Sequence, residues 1–117
     1  MKKSVTLLHR AENCKEMSKT KESEKDLEKA LYARVRDAGG HALKFSSMSE
    51  IGYPDRLVLM PHGRAYWVEL KSEGKKPRKI QELRAAELVK LGFICATIDT
   101  TAKLNEFIKT IEHDLLS

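Results

Sequence analysis

Two carboxylates and an ammonium stand where apolar strands should carry no charge. The run Tyr66-Trp67-Val68-Glu69-Leu70-Lys71 ends in an acid and a base two positions apart, and Gly52-Tyr53-Pro54-Asp55 sets another acid at the head of Leu57-Val58-Leu59-Met60. Side chains alternate faces along a strand, so Glu69 and Lys71 share one face and Leu70 points into the opposite layer. Charge on a buried strand face costs free energy unless another charge meets it. A plain exposed ion pair at a strand end would contribute only about 0–1 kcal/mol. A carboxylate that holds a divalent cation, with a lysine beside it to steer a water or neutralise a phosphate, gives the same residues a chemical use.

Spacing alone is weak support. With 17 acidic residues in 117, about two Glu-x-Lys spacings arise by chance. Two occur, and the second, Glu73 to Lys75, lies in a glycine-containing loop without further signal. Context separates them. Pro54 holds Tyr53 extended and offers no N–H, which delivers Asp55 to the mouth of a strand. If the two apolar runs pair as a hairpin through Pro61-His62-Gly63-Arg64, Asp55 and Glu69 meet at the end away from the turn. Two carboxylates a few ångströms apart repel unless a cation lies between them. Mg²⁺ or Mn²⁺ suits such a site, because it uses few protein carboxylates and keeps several waters. Such an ion activates water and neutralises charge developing on a phosphodiester.

The elements needed to hold these residues are legible from pattern. Ser23 is an N-cap, with Asp26 three residues on as a variant of the capping box. Leu27, Leu31, Val35 and Ala38 then form an amphipathic stripe that Gly39-Gly40 stops. His41 to Ser47 has the composition of a first strand. Arg56–Pro61 and Arg64–Lys71 are the second and third, and the consecutive apolar residues of the second suggest cover on both faces. Pro77 precedes a helix over roughly Arg78 to Leu91, ended by Gly92. Phe93–Asp99 is a fourth strand, and a last helix carries Leu104, Phe107, Ile108, Ile111 and Leu115 on one face. The order αβββαβα implies a small mixed α/β sheet with helices on both sides.

A chain of this length is one domain, expected at 23–117 behind a polar, loosely docked leader at 1–22 in which Met17 is an alternative start. The formal net charge of +5 and pI of about 9.2 favour a polyanionic partner. The surplus is local. Lys71, Lys75, Lys76, Arg78 and Lys79 face only Glu73 within nine residues. As a solvated loop this run is unremarkable; beside a metal site it is where a nucleic-acid backbone would enter, with Lys44 a further contact from the first strand. Cys14 and Cys95 have no partner at metal spacing, which suits reduced thiols inside a cell. Cys95 reads as a buried small hydrophobe. No apolar run spans a membrane, and Val5 to Leu8 is too short for an export signal. The histidines are scattered without ligand spacing.

Gly-Tyr-Pro-Asp, then Val-Glu-Leu-Lys, then Lys75-Lys76-Pro77-Arg78 and Gln81 resemble the PD-(D/E)xK nucleases. Within them the chain is most similar to the virus-type replication-repair nuclease (VRR-NUC) domain, over about Ser23 to Asp99. The resemblance implies a restriction-endonuclease-like αβββαβ core with an extra C-terminal helix. It implies a Mg²⁺- or Mn²⁺-dependent DNA nuclease from a virus or mobile element, acting in repair on branched DNA as a homodimer. Carried over, Asp55, Glu69 and the Leu70 backbone carbonyl are metal ligands and Lys71 is the catalytic lysine. Gln81 is the glutamine on the following helix, and its stripe with Ala85 and Leu88 turns its amide toward the sheet. Glu28 matches the acid of the first helix better than Glu24, whose place in the first turn is explained by the helix dipole. Tyr53 departs from the small aliphatic residue expected before the proline. Trp67 reads as core or site wall, and Tyr53 with the apolar face of the last helix as candidate interface elements, the alternative for that helix being to close its own core. Two readings stay open. A catalytically silent nucleic-acid-binding module should have lost charge at Asp55, Glu69 or Lys71, and all three are intact; an RNA-processing nuclease on this scaffold is separable only by substrate.

Overall fold

A computed structural model describes residues 23–116. The polar leader at 1–22, with Cys14, His9 and Met17, lies outside the described residues, as does Ser117. Helix α1 spans Glu24–Asp37, strand β1 His41–Lys44, β2 Arg56–Met60, β3 Arg64–Leu70, helix α2 Lys79–Lys90, β4 Ile94–Ile98 and α3 Thr101–Leu115. The sheet order is β1-β2-β3-β4. The first three strands run antiparallel, and β4 joins β3 in parallel after the crossover through α2. The αβββαβα reading of the sequence therefore holds.

Each boundary has a local cause. The Ser23 hydroxyl accepts the Asp26 amide at 3.1 Å and opens α1. At the other end Gly39 takes φ 95° and the Gly40 amide returns to the Val35 carbonyl at 2.9 Å. Gly40 must be glycine for a second reason: a Cβ there would lie 2.2 Å from Met60 Sδ and 2.6 Å from the Leu59 carbonyl oxygen. β1 is shorter than the seven-residue strand read from the sequence. Beyond Lys44 the chain leaves the sheet for an irregular segment, 45–55, whose base is closed by the Phe45 amide on the Asp55 carbonyl at 2.9 Å.

The main core lies on one face, with Leu88 of α2 buried on the other. Leu27, Leu31 and Val35 of α1 and Leu104, Phe107, Ile108 and Ile111 of α3 pack against Val58, Met60, Val68, Leu70 and Ile98 of the sheet. Tyr66 donates from its hydroxyl to Asp114 Oδ2 at 2.7 Å, and Arg64 donates to the Asp114 carbonyl, so β3 holds the end of α3. Of the two readings of α3, closure of its own core holds and the interface role does not: its apolar face is consumed within the chain. The expectation that β2 is covered on both faces also fails. Leu59 remains 39% exposed, because the twelve-residue α2 lies against β4 and leaves the β1–β2 side of that face open. No helix among the described residues is long and apolar enough to cross a membrane.

Candidate active site

The α2 face of the sheet is where charge collects. In the β2–β3 register Arg56 pairs with Val68, so the next pair outward is Asp55 and Glu69, at the end opposite the Pro61–Gly63 turn. Asp55 Oδ1 accepts the Leu70 amide at 3.2 Å. The loop acid is thereby fixed to the strand residue between Glu69 and Lys71. Glu69 is buried, and its Oε2 receives the Lys71 ammonium at 3.4 Å and the Gln81 amide nitrogen at 3.1 Å. Its Oε1 is buried with no hydrogen-bond partner among the described residues. Burial, and then the neighbouring Asp55 charge, push the Glu69 carboxyl above the usual glutamate range, with Lys71 pulling the other way.

Gln81 does two things at once. Its Oε1 accepts the Arg78 amide at 2.8 Å, which is one half of a capping box at the start of α2. That bond turns the amide over and presents Nε2 to Glu69. One side chain therefore caps the helix and holds Glu69.

The segment carrying Asp55 is clamped to α2. Gly52, at φ 94°, approaches the helix so closely that a Cβ would lie 2.7 Å from Ile80 Cγ1 and 3.0 Å from the Ile80 carbonyl oxygen. Arg84 donates to the Ile51 carbonyl at 2.9 Å and lies over the Tyr53 ring at 5.1 Å. The Tyr53 ring also meets Phe45 and Trp67, and Trp67 stands edge-on to Phe45 with centroids 4.9 Å apart. Tyr53 thus belongs to a half-buried aromatic wall with Phe45 and Trp67. A pocket of about 100 Å³ opens between this segment and α2, lined by Pro54, Glu69, Gln81, Cys95 and Thr97 among others. Cys95 is half-buried there beside the acid, less enclosed than its apolar neighbours in sequence suggest, and burial raises its thiol.

The cationic run forms the rim. Lys75, Lys76, Arg78 and Lys79 are exposed, between the end of β3 and the start of α2. Asp99, read from the sequence only as the end of a strand, anchors this run: it accepts the Gly74 amide at 3.3 Å and pairs with Lys103 at 2.9 Å. The hydrogen bond from Lys103 and that from Gly74 hold its carboxyl below the usual aspartate range against the effect of burial.

Glu28 reaches toward the same site from α1 through Arg56, whose guanidinium also lies 3.2 Å from Asp55 Oδ2. Its Oε2 takes the Arg56 guanidinium at 2.6 Å and lies 3.9 Å from Lys44 Nζ. Lys44 is accordingly exposed but partly engaged. Among the described residues no three His, Cys, Asp or Glu side chains converge as ligands, and Glu28 is joined to Asp55 through the Arg56 guanidinium. Arg56 was missed in the sequence, although a cation at the head of an apolar strand beside Asp55 raises the same question as Glu69 and Lys71.

No family model matches the chain. It is 42% identical over 77 residues to "Putative nuclease p44" of Acyrthosiphon pisum secondary endosymbiont phage 1, covering 66% of this chain and 83% of that one. It is also similar to a solved "VRR_NUC domain" at a TM-score of 0.70 and 26% identity, over 75% of this chain and 97% of that one. The chain belongs to the VRR-NUC nuclease family.

Proposed function

We propose that this chain is a metal-dependent DNA endonuclease whose site is Asp55, Glu69, Lys71 and Gln81. The observation that carries the reading is the buried Oε1 of Glu69, which has no hydrogen-bond partner among the described residues, next to Asp55. A buried carboxylate oxygen without a donor costs free energy, and a carboxyl whose ionisation is opposed by burial and by a second acid is what a cation relieves. Two carboxylates are enough for Mg²⁺ or Mn²⁺, which retain most of their waters. Asp55 and Glu69 would hold the ion, with the Leu70 backbone carbonyl beside them.

When bound, such an ion supplies Lewis-acid stabilisation of the phosphodiester and a more acidic water. The remaining work falls to the chain. Gln81 and Lys71 fix Glu69 by its Oε2 and so leave Oε1 as the free donor atom. The Lys71 ammonium, half-sheltered on the same strand face, neutralises phosphate charge and orients the attacking water. Lys75, Lys76, Arg78 and Lys79 bind the backbone that leads into the cleft, and Lys44 extends the track from β1.

The branched-DNA preference and the two-copy assembly belong to the same proposal. One unit of this size presents one site and one basic rim, so paired incisions need two copies, and a two-fold dimer matches the symmetry of a four-way junction. The test is purified protein on four-way junction, flap, duplex and single-stranded DNA and on RNA, with Mg²⁺, Mn²⁺, Ca²⁺ or EDTA. Metal-dependent paired nicks in the junction and a dimer by light scattering are expected. A product that forms equally in EDTA would overturn the metal chemistry, and RNA cut in preference to every DNA would overturn the substrate.

A further inference from the structure

Phe45 leaves β1 in line with the acids of the cleft. Lys44 pairs with Arg56, and the next pair outward is Phe45 and Asp55, joined by the Phe45 amide on the Asp55 carbonyl at 2.9 Å. Asp55 in turn stands opposite Glu69 in the β2–β3 register. The three form one row across the sheet, with Phe45 one strand from Asp55 and two from Glu69, at about 5 Å per strand. Strand alternation turns the Phe45 ring to the α2 face. There it meets Trp67 edge-on with centroids 4.9 Å apart, and Tyr53 at 6.1 Å. Trp67 precedes Glu69 by two residues on the same strand face, and Tyr53 precedes Asp55 by two.

The cleft thus has two unlike sides. Toward the start of α2 stand the exposed cations Lys75, Lys76, Arg78 and Lys79. Toward β1 stand three rings that carry no charge. Because α2 packs on β4, the β1–β2 half of this face is open, and Leu43 and Leu59 remain 38% and 39% exposed there. Phe45, Tyr53 and Trp67 are each half-buried, so the wall keeps open surface after its rings have met. Arg84 lies over the Tyr53 ring from α2, which leaves Phe45 as the member nearest the open half.

From this juxtaposition we propose that the Phe45–Tyr53–Trp67 wall binds an unpaired nucleobase beside the phosphate in the cleft, and so favours branched over continuous duplex DNA. The inference rests on the nuclease reading above and deepens it, since it gives a single copy a means of selecting branched substrates. A strand whose phosphates follow the cations on one side of the row sets its bases toward the other side. Aromatic rings stack on any base, because every base has a π-face, so such a wall reads structure and not sequence. In a continuous duplex each base is held by its pair and its neighbours, and turning one out costs free energy. That cost is least where the base is already unpaired, as at a branch point.

Dissociation constants test this, read by fluorescence anisotropy in Ca²⁺ on the full chain. The probes are a four-way junction and an unbranched duplex, with each nucleotide flanking the branch point replaced in turn by an abasic one. On the junction, one abasic position should weaken binding by about tenfold, within the contribution of one stacked base. The same replacement in the duplex should change binding by less than about twofold. Phe45→Leu keeps apolar bulk and removes the ring, so it should weaken junction binding by about tenfold. Removing the base should then add less than about twofold, the limit of simple additivity. Phe45→Trp should restore the dependence on the base, and Phe45→Met serves the cycle should Phe45→Leu not fold. Indifference of the unmutated chain to every abasic position would overturn the inference. So would an equal loss on base removal in Phe45→Leu, which would leave the ring a packing role. A dimer lost in Phe45→Leu without any dependence on the base would give the wall to a second copy and overturn it too. Cleavage of the same junctions in Mn²⁺ separates the two levels: base-dependent binding without cutting would leave the wall standing and sink the nuclease reading.

Discussion

Asp55 Oδ1 accepts the Leu70 amide at 3.2 Å across the open end of the β2–β3 hairpin. This one bond ties an acid from an irregular segment to the strand that carries Glu69 and Lys71. The two acids are thus neighbours before any ion arrives, and the apo fold bears the cost of their proximity.

That cost is measurable. The folded Glu69 carboxyl lies above its ordinary range, so between the unfolded and the folded pKa the native chain binds more protons than the unfolded one. Stability from this group is present at low pH and is lost as pH rises through the folded value. Glu69→Gln should therefore melt higher than the unmutated chain in EDTA near neutral pH and show a flatter decline with pH. Each kcal/mol gained moves the melting temperature by about 4–8 °C in a domain of this size. Melting curves in EDTA from about pH 5 to about pH 8 check it; a lower-melting variant with an unchanged pH slope would contradict it.

The cationic rim should act on binding and not on chemistry. Neutralising Lys75, Lys76, Arg78 and Lys79, all exposed, should reduce the salt dependence of duplex binding by roughly 0.9 in log–log slope per lost contact. Cleavage at saturating DNA should change far less. Binding titrations at several salt concentrations decide the matter, and an identical slope in the quadruple variant would return the run to a solvated loop.

Gly52→Ala tests the clamp between the Asp55 segment and α2. The new Cβ meets the Ile80 side chain and carbonyl at a positive φ, which costs of order 1–3 kcal/mol and pushes Asp55 away from Gln81. Cleavage should fall more than the loss of folded protein accounts for, with far-ultraviolet circular dichroism intact. A variant that cuts at the normal rate would show that the clamp does not set the site.

Much of this arrangement was legible in the chain because it depends on local rules. Pro54 before Asp55, the two-residue spacing of Glu69 and Lys71, and the stripe of Gln81, Ala85 and Leu88 each fix a direction from sequence alone. What escaped depends on separation. Arg56 meets Glu28 across 28 positions, and Asp99 captures the Gly74 amide across 25; neither pairing has a local spacing to betray it. The exposed Leu59 escaped for another reason: an apolar run states what a strand could bury, and the length of α2 decides what it does bury.

Tyr66→Phe is the matching control on the far side of the sheet. It removes the hydroxyl that donates to Asp114, and a hydrogen bond to a charged acceptor contributes about 1.5–3 kcal/mol. Chemical denaturation should show that loss, while cleavage well below the melting temperature stays unchanged. A drop in cleavage of the folded variant would mean that the α3 anchor reaches the site.

Single-turnover cleavage of junction DNA at saturating Mn²⁺, compared between the unmutated chain and Glu69→Gln, tests the central claim most directly. The variant keeps the shape of Glu69 and removes its charge, so the account expects a folded protein that binds DNA and cuts at least about a hundredfold more slowly. Cleavage at the unmutated rate by Glu69→Gln would contradict it.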